Sequence, residues 1–131
     1  MPNALLSLLG RALLSVVFIP AGLQKFGDIA GTAGYIQAGG LPAPTLLAWG
    51  SAILEVVLGI CVLVGFQTKY AALLLAAFCL VTGVVFHYGM SNGGADMMQM
   101  IMFFKNIGLT GSFLTLAANG AGAWSVDAKR G

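Results

Sequence analysis

The sequence predicts an all-α membrane protein, a bundle of four transmembrane helices, on three observations. Of its 131 residues, 59% are hydrophobic and only 8% charged, where a soluble domain carries about 25% charged residues. The apolar residues fall in four long runs that are apolar on every side, as helices in lipid require and as the alternating strands of a membrane barrel do not. Short polar or Gly/Pro-rich stretches separate the runs, so successive helices return antiparallel. Six basic and four acidic residues cannot coat a water-soluble surface of this size, which sets aside soluble enzymes and disordered tails. They form no basic run, so neither nucleic-acid binding nor a polybasic lipid patch is indicated.

The chain reads as a single membrane domain over 1–131. The first run, about 4–23, is interrupted by Ser7, Arg11 and Ser15 and ends before Gln24-Lys25-Phe26-Gly27-Asp28. It lacks a basic stretch ahead of its apolar part and a small-residue cleavage site, and so reads as a retained helix rather than a signal peptide. Residues 28–44 hold too much glycine and proline for a span. They predict a loop or a short interfacial helix built on Ile29, Tyr35, Ile36 and Leu41. The second run, about 45–65, begins after Pro44 and carries one charge, Glu55. Gln67-Thr68-Lys69 is a tight turn into the third run, about 70–88, which ends at His87-Tyr88. A Gly/Asn/Ser loop leads into the fourth run, about 97–118, with Lys105-Asn106 in its first half. Residues 119–131 read as a polar tail. Lys69, Lys129 and Arg130 share one side of the membrane and Lys25 the other, which puts both termini in the cytoplasm by the positive-inside rule.

Charges inside the spans are the informative residues. Each costs about 2.5–3.5 kcal/mol in hydrocarbon, so Arg11, Glu55 and Lys105 require partners or a wet cavity. At 1.5 Å per residue, Arg11 lies roughly 10 Å in from one edge, with Glu55 about 15 Å and Lys105 roughly 12 Å in from the other. These depths predict Glu55 between two cations, paired with either or bridging both. Arg11, Phe18, Gly22 and Lys25 fall along one stripe of the first helix, which is expected to face inward. Lys105, Gly108, Ser112 and Thr115 recur at helical spacing on the fourth helix and are expected to allow close approach within the bundle or between subunits. The polar network is thus Arg11, Lys25, Glu55, Lys105 and Asn106. It reads equally as a structural device fixing helix register or as a substrate or proton path.

His87, the only histidine, stands at a helix end, either as a hydrogen-bonded terminal residue or as a contact for a quinone carbonyl or a proton. The methionines at 90, 97, 98, 100 and 102 point around the helix and predict packing and lipid contact rather than a metal site. Cys61 and Cys79 lie at depths roughly 9 Å apart, so no disulfide is expected.

Arg11 with Phe18, Gly22 and Lys25, Glu55-x-x-x-Gly59, His87, and Lys105-Asn106-x-Gly108 resemble the DoxX family of small bacterial membrane proteins over about 5–118. Gly40-Leu41-Pro42 also looks like that family's first loop. The resemblance implies a four-helix inner-membrane protein, some relatives of which are associated with quinone-linked sulfur oxidation or with thiol and oxidant handling. No nucleotide, flavin or haem motif is present, and one histidine cannot ligate a haem from both faces. No covalent cofactor is expected; a diffusible quinone is the candidate, contacted by His87, Lys105 and Glu55. The function expected is a membrane subunit of an oxidoreductase complex rather than a complete enzyme, with an oxidoreductase or a second copy as partner. The alternative is a non-catalytic scaffold that docks a partner.

Overall fold

The computed structural model describes residues 2–130, all-α with no strand among them. Helix α1 (Pro2–Gly27) is followed by the short α2 (Ile29–Ala38), then α3 (Pro44–Val64) and α4 (Thr68–Thr82). The last runs on as a π-helical segment, Gly83–Tyr88. Helix α5 (Met97–Asn119) and a five-residue α6 (Val126–Arg130) complete the chain. Four helices are long and apolar enough to cross a membrane: Asn3–Gly27, Pro44–Val64, Thr68–Tyr88 and Met97–Asn119.

Local chemistry sets the breaks. Asp28 caps α2 by accepting a hydrogen bond from the Gly31 amide at 3.0 Å, and Asp96 caps α5 through the Gln99 amide at 3.2 Å, each satisfying an orphan donor of a first turn. Pro44 opens α3, where its missing N–H is harmless. Gly65 closes α3 at φ +74°, a left-handed turn that glycine adopts without strain. A Cβ at Gly65 would also overlap Ser125 and crowd Arg11.

The Gly/Pro-rich segment after α1 therefore contains a helix, the second of the two forms the sequence allowed. It lies against the bundle, with Ala33 and Ile36 packed on Ala48 and Phe86. The main core joins Phe18, Val62, Ala71, Ala72, Leu75, Ala76, Cys79 and Phe113, with Phe18 and Phe113 edge to face at 5.4 Å. Helices α1 and α3 pack along stripes of buried residues, Arg11, Ser15, Phe18 and Gly22 against Ala48, Ala52, Glu55, Gly59 and Val62. Ser15 Oγ donates to the Gly59 carbonyl at 3.1 Å across this seam.

One boundary is corrected: the first helix runs to Gly27 rather than 23, and includes Lys25, as its inward stripe requires. Of the two placements open to the stripe of Lys105, Gly108, Ser112 and Thr115, the structure has the outward one, because Asn106 and Phe113 are the α5 residues turned into the bundle. The tail is also ordered: residues 120–130 fold back onto the end of the bundle that holds the α3–α4 turn.

Candidate functional site

A cavity of about 490 Å³ opens between α2, α3 and the π-helical end of α4. Its walls are mostly apolar, formed by Ile36, Leu41, Leu47, Leu54, Phe78, Val81 and Phe86. Lys25, Glu55 and His87 bring charge and titratable chemistry to it. Tyr35 of α2 stacks on Phe86, ring centroids 5.3 Å apart.

Lys25 Nζ donates to Glu55 Oε1, the only ion pair among the described residues. Glu55 is 3% exposed at its side chain and Lys25 27%, so the carboxylate is the buried partner and the ammonium faces the cavity. Helical side chains lean toward the N-terminus of their helix. Lys25, near the C-terminal end of α1, therefore reaches inward to Glu55. Gly22 brings the helices close enough, since a Cβ there would stand 2.9 Å from the Ala52 carbonyl oxygen of α3.

The expected arrangement of Glu55 between Arg11 and Lys105 is not what forms. Arg11, 1% exposed, spends its guanidinium on carbonyls: Nε donates to Ala121 at 3.0 Å, Nη1 to Val62 and Leu63 at 3.2 and 2.7 Å, and Nη2 to Trp124 at 2.5 Å. It closes the C-terminal end of α3 and ties down the tail, at the opposite end of the bundle from Lys25. Lys105 is exposed on α5 and does not line the cavity, so its expected roles as Glu55's partner and as a ligand contact both lapse. Its stem is long enough to carry the ammonium toward the interface. Asn106 is buried and bridges helices instead, Nδ2 donating to the Cys79 carbonyl at 3.1 Å and to Thr82 Oγ1 at 3.2 Å. These bonds fall just before the π-helical segment, whose widened turn carries Phe86 and His87 onto the cavity wall; π-helical turns often mark such sites.

His87 Nδ1 lies 2.8 Å from Gln99 Oε1. The sequence reading passed over Gln99, and the signal for it was Asp96 three residues earlier, a helix cap that fixes where Gln99 stands on the first turn of α5.

The DoxX family's sequence pattern matches residues 6–88, well over half of the chain. The chain belongs to the DoxX family. It is 38% identical over 125 residues to "Inner membrane protein YqjF" of Escherichia coli (strain K12), covering 92% of this chain and 88% of that one. It is 37% identical over 123 residues to "Inner membrane protein YphA" of the same organism, covering 93% and 88%. No solved structure matches significantly. With four membrane-length helices, this DoxX protein is a multi-pass inner-membrane protein. Within the family match lie Arg11, Lys25, Glu55 and His87; Gln99 and Lys105 lie beyond it.

Proposed function

We propose that this DoxX protein binds a neutral, lipid-soluble ring compound of the quinone class in the cavity under α2, as the membrane subunit of a redox system. The observation that carries this reading is the cavity itself, about 490 Å³: apolar walls suited to a ring and its tail, with an ion pair and a histidine where the polar head would sit. Lys25 and Glu55 neutralise one another, so a neutral ligand enters without leaving a buried charge unpaired. Lys25 can donate to a ring oxygen, and Glu55 and His87 are groups that exchange protons. With both termini cytoplasmic, as the distribution of basic residues favours, the site lies in the outer half of the membrane.

Gly50 lines the cavity, and a Cβ there meets nothing within 4 Å. Gly50→Leu adds bulk at the cavity wall, and its first added carbon finds open space. In purified protein, decylubiquinone should bind saturably, and Gly50→Leu should weaken binding at least tenfold with the melting temperature unchanged. Absence of saturable binding, or equal binding by Gly50→Leu, overturns the proposal.

One observation favours a second reading, a membrane scaffold that docks an oxidoreductase subunit or another copy of the chain. Helix α5 turns Lys105, Gly108, Ser112 and Thr115 outward, a surface that permits close helix approach. Under this reading Gly108→Leu disrupts partner co-purification and leaves cavity binding intact.

A further inference from the structure

Three hydroxyl side chains of the cavity wall, Thr32, Ser51 and Thr82, share one polarity. Thr32 Oγ1 donates to the Asp28 carbonyl at 3.0 Å and Ser51 Oγ to the Ala48 carbonyl at 3.1 Å. Thr82 Oγ1 donates to the Phe78 carbonyl at 2.8 Å and already receives Asn106. Each of these hydroxyls has committed its single hydrogen to its own helix or the turn before it, and can only accept from a ligand.

His87 follows the same rule through Gln99. With the Gln99 amide oxygen toward the ring, 2.8 Å from Nδ1, the proton sits on Nδ1, an assignment carried by the orientation of the amide. In the neutral ring Nε2 is then a bare lone pair. Nδ1 is turned toward α5 and Gln99 is not part of the wall, so the ring edge left to the cavity carries Nε2. The donors on the wall are the Lys25 ammonium, held by Glu55, and the Tyr35 hydroxyl on α2, a residue 41% exposed.

We infer that Gln99 is a specificity-determining positioning residue: by holding His87 in the Nδ1–H tautomer it makes the cavity select a hydroxyl-bearing head, a quinol or phenol, over the corresponding carbonyl form. The inference rests on the proposed ring-binding function. Nε2 accepts the ligand O–H, and a carbonyl in the same place meets lone pair against lone pair. One hydrogen bond of this kind corresponds to roughly three- to tenfold in affinity.

The test uses the full chain in lipid nanodiscs and three decyl-chain probes of one ring: the benzoquinol, the benzoquinone, and the dimethyl ether, which keeps the oxygens and lacks the O–H. Under anaerobic conditions the quinol should bind three- to tenfold more tightly than either of the others. Gln99→Lys places a donor against Nδ1, moves the ring proton to Nε2 and should reverse the order of quinol and quinone. Because His87 is the only histidine, its imidazole gives a single pair of signals in the 15N spectrum of histidine-labelled wild-type protein, and these should show Nδ1 protonated and Nε2 bare. That readout does not depend on whether any variant folds. An Nε2–H tautomer, or equal binding of quinol and quinone, overturns the role of Gln99 and leaves the ring-binding function standing. Failure of all three probes to bind overturns both.

Discussion

Glu55 and Lys25 are coupled residues of unequal burial, and the inequality determines what each substitution does. Removing the carboxylate leaves an ammonium at the edge of an apolar cavity; removing the ammonium leaves a carboxylate that is 3% exposed with no counter-charge. Breaking a buried pair from one side costs about 3–5 kcal/mol, and the partial exposure of Lys25 puts Glu55→Gln at the lower end, about 3 kcal/mol. The double change Lys25→Met with Glu55→Gln should recover part of the loss, because no lone charge remains. Lys105→Met should be additive with Glu55→Gln, since Lys105 faces away from the pair. Thermal unfolding in detergent of the single and double variants checks both expectations, and strict additivity for Lys25 and Glu55 would refute their coupling. The presence of isolated intramembrane charges was legible in the sequence; their pairing was not. Depth along a helix follows from counting residues, whereas azimuth and helix ends decide contact. Lys25, on the inward stripe of α1, rather than Arg11 or Lys105, is the partner of Glu55.

Among the elements, α1 and α3 set the geometry of the site. Their seam uses small residues where the helices approach most closely, and Gly22 is the tightest point near the ion pair: a Cβ would stand 2.6 Å from Val56 Cγ2 and 2.9 Å from the Ala52 oxygen. Gly22→Ala therefore forces the helices apart, an overpacking effect of about 1–3 kcal/mol. Gly10 lies on the same helix with nothing within 4 Å of a Cβ, so Gly10→Ala should be neutral or slightly stabilising through helix propensity. Melting temperatures of the two variants provide the comparison, and the separation of α1 from α3 can be read by spin labels at exposed Leu13 and Ile53. Helix α2 illustrates a different limit of sequence reading. Ten residues containing two glycines have weak helix propensity alone; burial of Ala33 and Ile36 against Ala48 and Phe86 supplies the stabilisation that propensity lacks.

For the whole molecule, the C-terminal segment acts as a clasp on one end of the bundle. Arg11 holds the carbonyls of Ala121 and Trp124, and the Asp127 amide donates to the Gly65 carbonyl at 2.8 Å. The Asp127 carboxylate accepts from the Gln67 and Thr68 amides at 2.8 Å each, capping α4, and Arg130 lies over the Phe66 ring at 5.1 Å. Burial pushes the Asp127 carboxyl up, but the Thr68 and Gln67 hydrogen bonds and the Arg130 charge outweigh it and hold the carboxyl below its ordinary value. A depressed pKa in the folded state means stabilisation that is present above the unfolded value, about 3.9, and lost as pH falls through the folded one. Asp127→Asn should cost about 1 kcal/mol at neutral pH, the size of a lost cap, and should flatten the loss of stability in acid. Hydrogen exchange at residues 66–70 against pH, in wild type and variant, tests this; an unchanged acid profile would show that the cap does not hold the clasp.

The sequence by itself determined that this chain is a four-helix membrane protein, because apolar runs of membrane length between polar turns leave the backbone no other way to satisfy its hydrogen bonds in lipid; its polar motif residues carried the resemblance to the DoxX family. It also singled out Arg11, Glu55 and Lys105, since ionisable groups at such depths are too costly to be incidental, and placed Lys25 and His87 at helix ends. Only the tertiary structure decided that Glu55 meets Lys25, that Arg11 binds backbone carbonyls, that Lys105 points outward, and that Gln99 stands 2.8 Å from His87. Those outcomes depend on the rotation of each helix about its axis and on where it ends. In a chain apolar on all sides, periodicity carries little of that information, and side-chain packing at the seams supplies it.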